Sequence, residues 1–393
     1  MRERKNMIKK IAYLLVFCIL LGVVVSLASC NSGSKNDVAS EPDSSSDTES
    51  TTASDTDSDI VEDSNTCNES FESSDTESES SSEAEKEKSI DLYIIAGQSN
   101  ATGHTKFDEE LLATLWSDYK VGSSNVLYRG RSEYTLNVNT ENVSTGVNEV
   151  YMWTNAKAGQ GKTTAQMGAE VGMAAKLSST YYTGDKVCGI IKYAHGGTSI
   201  FNSKSGENAA NGNWVSPLYA DLIGVEYEGL TGNLYRNLLD EVRTSITQLE
   251  RKGYNDINIK GIFWMQGEAD VGNPDSYEIA IQLFIESIRK DLGEMVGEDL
   301  SDLPFMIGEI SRTFGSADAN AIKRNETFIA MQRRVAEDMA NVYVIASGQY
   351  EVTWLENGES KNGQDPYHWT TEPMFRIGEL VAECILDNIL KVK

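Results

Sequence analysis

Three residues in this chain have the types and spacing for ester-bond chemistry: a serine near residue 100, and an aspartate and a histidine near residue 365. Ser99 lies in Gly97-Gln98-Ser99-Asn100, directly after the apolar run 90–96. A serine on a tight turn at a strand end lifts its hydroxyl above a sheet, and the helix start that follows favours a developing anion. Asp365 precedes His368 by three residues in DPYH. A serine hydroxyl attacks poorly until a base takes its proton. Histidine does this near neutral pH once a carboxylate fixes its tautomer. The plainer readings are a serine that merely caps a helix and a surface turn whose aspartate caps the next one.

Ester hydrolysis also needs donors for an oxyanion. The Ser99 amide is one candidate. Gly196 and Gly197, after the run 187–194, offer amides with no side chain in the way, and Gln266, after 257–265, offers a side-chain amide. Each such donor is worth roughly 3 kcal/mol in comparable sites. Taken singly, the glycine pair also reads as a turn and Gln266 as a satisfied strand-end group. Glu268 and Asp270 share the Gln266 block. Glu268 reads as support for His368 or the Ser99 turn, or as a structural hydrogen-bonding group. The other two histidines, His104 and His195, read as groups that line the pocket or bind substrate rather than as the base, since neither has a carboxylate placed like Asp365.

These residues need a frame that gathers strand ends. Short β-type runs at 90–96, 187–194, 257–265, 304–310 and 342–346 alternate with helical periodicity at 163–178, 231–252, 275–293, 320–340 and 372–391. Such alternation predicts an α/β fold, a three-layer α/β/α sandwich on a five-stranded, mostly parallel sheet. Ligands then bind beyond the carboxyl ends of the strands, where Ser99, Gly196, Gly197 and Gln266 fall. The Asn- and Gly-rich stretch 201–229 reads as a long loop over the same edge, of the kind that carries specificity.

GQSN at 97–100, GGTS at 196–199, WMQGEAD at 264–270 and DPYH at 365–368 resemble the blocks of SGNH hydrolases, and most closely the sialate O-acetylesterase and acetyl xylan esterase group, carbohydrate esterase family six. The resemblance spans about 90–390 and implies a flavodoxin-like SGNH fold. It implies that Ser99 attacks an acetyl carbonyl, that His368 acts as base and then acid, and that Asp365 orients His368. It also implies that the Ser99 amide, Gly197 (or Gly196) and Gln266 bind the oxyanion. The more familiar members carry Asn where Gln266 stands. The segment 166–172 is similar to a GPE-x-G block but lacks its proline, and no role is assigned to it. The expected activity is removal of acetyl groups from a polysaccharide such as xylan. The alternatives are a sialate O-acetylesterase, a non-catalytic surface glycan-binding lipoprotein on a hydrolase fold, and, more remotely, a GDSL-like lipase, which lacks support because no long apolar lid is evident.

The ends of the chain bear on location. Residues 1–30 carry a basic start (Arg2, Arg4, Lys5, Lys9, Lys10) and an apolar run to Leu27, then Ala28-Ser29-Cys30. This resembles a bacterial lipobox with Cys30 as the lipidated residue, the alternative being an uncleaved membrane anchor. Residues 31–88 are Ser-, Asp- and Glu-rich, which predicts a disordered tether. Residues 89–393 form the esterase domain. The expected location is extracytoplasmic, anchored to the bacterial cell membrane by lipid alone.

Of the net charge of −26, the first thirty residues carry +4 and the tether −15, so the domain itself carries −15. That charge disfavours nucleic acid and suits a neutral acetylated carbohydrate as partner. With no CxxC or HExxH pattern, no metal or cofactor is expected. Cys188 and Cys384 read as buried thiols, although a disulfide between them stays open.

Overall fold

Strand β1 (Lys88–Gly97) shows how the sheet divides the molecule. Ile90, Leu92, Ile94 and Ala96 pack into one apolar cluster, while Tyr93 and Ile95 pack into another on the opposite face. The alternation is the period-two geometry of a strand buried on both sides. The computed structural model describes residues 88–132, 152–316, 318–352 and 365–392. The expected signal segment with Cys30, and the tether up to residue 87, lie outside the described residues.

Along the chain come α1 (Ser99–Thr102), β2 (Thr105–Lys106), α2 (Glu109–Leu115), β3 (Ser123–Ser132), β4 (Thr154–Ala156), β5 (Gln166–Met167), α3 (Glu170–Thr180) and β6 (Cys188–Ala194). Then follow α4 (Asn208–Asn211), α5 (Pro217–Ile223), α6 (Asn233–Arg251), β7 (Tyr254–Met265), α7 (Pro274–Val296), β8 (Phe305–Gly308), α8 (Ala319–Asp338), β9 (Val342–Ile345) and α9 (Thr371–Cys384). The main sheet runs β4-β3-β6-β1-β7-β8-β9. All neighbours pair in parallel except β3 with β4. Helices α6, α7 and α8 cover one face through Leu238, Ile281 and Phe328; α3 and α9 cover the other through Leu177 and Ile377. This is the expected three-layer α/β/α sandwich.

Two expectations need correction. Among the described residues the main sheet has seven strands rather than five, because β3 and β4 extend it beyond β6. Strand β3 is hard to see in sequence because Arg129 interrupts its apolar run, yet Arg129 is buried and pairs with Glu241 on α6. Nor is the stretch 201–229 a plain loop. It contains α4 and α5, the latter capped by Ser216, whose hydroxyl accepts from the Tyr219 amide. The buried Trp214 anchors it against Trp264. Cys188 and Cys384 are separate free thiols.

Candidate active site

Gly97 ends β1 with φ 141°, and a Cβ there would sit 2.1 Å from the Met265 carbonyl oxygen. Only glycine allows the chain to turn that sharply against β7. The next residue, Gln98, is bonded from its amide to that same carbonyl at 3.0 Å. Ser99 then opens α1, half-buried at the carboxyl end of the central strand. Its neighbour Asn100 is fully buried.

The carboxyl-terminal segment is stitched to this turn residue by residue. Asn100 Nδ2 donates to the Tyr367 carbonyl at 3.3 Å. The rings of His104 and His368 lie 4.6 Å apart, centre to centre. Thr105 Oγ1 donates to the Trp369 carbonyl at 2.7 Å, and the Asp108 amide donates to Thr371 Oγ1 at 2.8 Å. Segments more than 260 residues apart in sequence therefore run side by side, bringing the Ser99 turn and His368 to one edge of the sheet.

His368 is buried, and its Nδ1 lies 2.8 Å and 2.7 Å from the two carboxylate oxygens of Asp365. Asp365 Oδ1 also accepts the amides of Tyr367 and His368 at 2.8 Å and 3.1 Å. Partial burial is the largest single influence on Asp365 and disfavours its charge. The His368 hydrogen bond and charge, together with the two amides, outweigh that influence and hold the carboxyl below its ordinary range. The carboxylate is thus ionised and aimed at one ring nitrogen, which leaves Nε2 as the nitrogen for proton transfer.

The strand-end groups around the turn separate into exposed and committed ones. Gly197 is exposed at φ 67°, a left-handed conformation suited to glycine, while Gly196 is buried. Gln266 does not project a spare donor. Its Nε2 lies 3.0 Å from the Thr198 carbonyl and 2.7 Å from Asp270 Oδ2, and its Oε1 accepts from the Tyr277 hydroxyl at 2.7 Å. Both amide hydrogens are used, so Gln266 matches the satisfied strand-end reading rather than that of an oxyanion donor.

Asp270 is the hub of this loop system. It accepts from Ser199 Oγ at 2.5 Å and the Ile200 amide at 2.9 Å as well as from Gln266. The glycine loop after β6 is thereby tied to the end of β7. Glu268 is buried and accepts from Asn100 Nδ2 through Oε1 at 2.8 Å. Burial is the main cause that raises both the Glu268 and Asp270 carboxyls above their ordinary range.

A further buried carboxylate, Glu170, accounts for the segment 166–172. Glu170 accepts the Gly168 amide at 2.8 Å and lies 3.2 Å from the ammonium of Lys192, which is fully buried. Lys192 also donates to the carbonyl of Thr102 at 3.0 Å, holding the last turn of α1 from below. Its signal in sequence was weak: a lone lysine in the apolar run of β6.

The profile of the family described as carbohydrate esterase, sialic acid-specific acetylesterase matches residues 89–387, and the chain belongs to that family. No curated protein matches the chain. Among solved structures it is similar to a protein from Arabidopsis thaliana, at 18% identity and TM-score 0.48, over 77% of this chain and 99% of that one. It is also similar to NanS, at 15% identity and TM-score 0.47, over 77% and 98% of the two chains. A carbohydrate acetylesterase from Xanthomonas citri aligns at 14% identity and TM-score 0.43, over 77% of this chain and 56% of that one.

Proposed function

We propose that the chain is a carbohydrate O-acetylesterase working by a Ser99–His368–Asp365 mechanism on a neutral acetylated polysaccharide such as xylan. The observation that carries this reading is the Asp365–His368 pair, hydrogen bonded at 2.7 Å on a segment zipped to the Ser99 turn.

In this mechanism His368 Nε2 takes the Ser99 hydroxyl proton as Oγ attacks the acetyl carbonyl. Asp365 holds the opposite nitrogen and stabilises the imidazolium. The amides of Ser99 and Gly197 (or Gly196) receive the oxyanion. Collapse of the tetrahedral adduct expels the sugar oxygen, which His368 protonates. Water then enters with His368 as base, acetate leaves, and Ser99 is regenerated. Gln266 acts as a positioning residue, through Asp270, rather than as a direct donor.

A sialate O-acetylesterase is the second reading, favoured by the description of the family that the chain joins. The acidic character of the domain weighs against it, because sialic acid carries its own carboxylate. Lipid attachment at Cys30, with 31–88 as spacer, would hold the enzyme outside the cytoplasm next to polymeric substrate. Acetate release from acetylated xylan and from O-acetylated sialic acid, with an aryl acetate as control and Ser99→Ala beside each, tests the assignment. Release from xylan is the expected result; release from sialate alone would select the second reading, and no hydrolysis with glycan binding retained would leave a binding lipoprotein.

A further inference from the structure

Among the described residues, two buried oxygens beside Ser99 have no hydrogen-bond partner: Asn100 Oδ1 and Glu268 Oε2. They belong to side chains already joined through their other polar atoms, since Asn100 Nδ2 donates to Glu268 Oε1 at 2.8 Å. With an ionised Glu268, both oxygens are acceptors and neither can satisfy the other. A single proton on Oε2 supplies a donor and removes both deficits.

We propose that Glu268 is held as the neutral carboxylic acid and that its Oε2–H donates to Asn100 Oδ1, closing a ring of two hydrogen bonds that fixes the Ser99 turn. The groups facing Glu268 are consistent with this. Burial opposes its charge most strongly, and Asp270 on the same turn opposes it further. The Asn100 amide, the backbone amide of Glu268 and the nearby His368 act the other way but do not overcome burial. Tyr277 on α7, also close to Glu268, is kept neutral by its own burial. A neutral Glu268 leaves Asp365 as the one carboxylate that serves His368. The side chain is a positioning residue: it holds Asn100, and Asn100 holds both the nucleophile turn and the Tyr367 carbonyl. This inference rests on Ser99 as nucleophile only for its consequence on rate, not for the protonation itself.

Glu268→Gln separates the neutral acid from a working carboxylate. A glutamine accepts from Asn100 Nδ2 and donates to Asn100 Oδ1, reproducing the ring without a charge. The expected result in the full chain is a kcat within about threefold of wild type and an unmoved pH–rate profile. Glu268→Ala should lose tenfold or more in kcat with KM little changed. Infrared spectra of the wild-type protein with isotope-labelled glutamate should show a protonated carboxyl at neutral pH that is absent in Glu268→Gln. A tenfold loss in Glu268→Gln with a displaced acid limb, or no protonated carboxyl in the wild type, overturns the proposal. If the band is present but Ser99→Ala keeps full activity, the pairing stands and the nucleophile assignment falls.

Discussion

The Thr105 hydroxyl donates to the carbonyl of Trp369 at 2.7 Å, joining the strand that follows the serine turn to the residue that follows the candidate base. The bond is buried and spans 264 positions of sequence. Together with Asn100–Tyr367 and Asp108–Thr371, it fixes the relative register of the two segments. Thr105→Val removes the donor but keeps the shape, leaving the Trp369 carbonyl without that partner. A loss of about 1–3 kcal/mol in stability is expected, with a matching fall in kcat, measured by denaturant unfolding and acetate release.

Gly97→Ala tests the turn itself. The substitution forces a left-handed conformation on a residue whose Cβ would meet the Met265 carbonyl at 2.1 Å. The strain is expected to cost about 3 kcal/mol or more. Urea unfolding of the variant should move to a lower midpoint with an unchanged slope, and esterase activity should fall further than stability alone explains.

Two carboxyls give opposite dependences of stability on pH. Asp365 is held below its ordinary range, so its contribution is present above the unfolded value and is lost as pH falls through the lower folded value. Asp365→Asn should therefore narrow its stability gap to wild type as the medium becomes strongly acidic. Glu268 is raised, so its contribution is present below the unfolded value and is lost as pH rises through the folded value. The stability of wild type relative to Glu268→Gln should decline as pH climbs above the ordinary carboxylate range. Tm measured across pH for the three proteins checks both signs.

The Arg129–Glu241 pair is buried on both sides, with Ser245 Oγ 2.8 Å from the guanidinium and Gln248 3.1 Å away. Glu241→Ala removes the buried carboxylate opposite that charge, and a loss of about 3–5 kcal/mol is expected. Replacing the pair by Arg129→Met with Glu241→Leu should recover most of it. Unfolding of the single and double variants gives the coupling directly.

Asp270→Ala should release the glycine loop, because Ser199, the Ile200 amide and Gln266 all lose their shared acceptor. A kcat loss of about 10- to 100-fold is expected, by analogy with the cost of misplacing a reacting group by about 1 Å. KM for a small aryl acetate should change little. Crystallography of the variant would show the loop after β6 displaced from the end of β7.

The sequence was most legible where hydrophobic periodicity and chemistry coincide. Strands β1, β6, β7, β8 and β9 fall within a few residues of their expected ranges because each carries an apolar run. Ser99, Gly197 and the Asp365–His368 pair sit at strand ends or in the last turn before α9, as their motifs imply. Strand β3 escaped because its buried arginine looks like surface until Glu241 is placed against it. The role of Gln266 stays open in the sequence because a side-chain amide at a strand end has the same appearance whether its hydrogens are spare or spent. The Thr198 carbonyl and Asp270 accept them, and that depends on packing between the end of β7, its following turn and the loop after β6. His104 is five residues from Ser99 in sequence, yet its stacking on His368 arises only from long-range register.

Covalent trapping puts the central claim to its most direct test. Incubation of the full chain with a fluorophosphonate, followed by peptide mapping, should place a single adduct on Ser99. Labelling should be lost in Ser99→Ala and slowed at least about 100-fold in His368→Ala, the scale of general-base assistance. Acetate release should fall by about six orders of magnitude in both variants. An adduct on another residue, or undiminished acetate release from Ser99→Ala, would contradict the account.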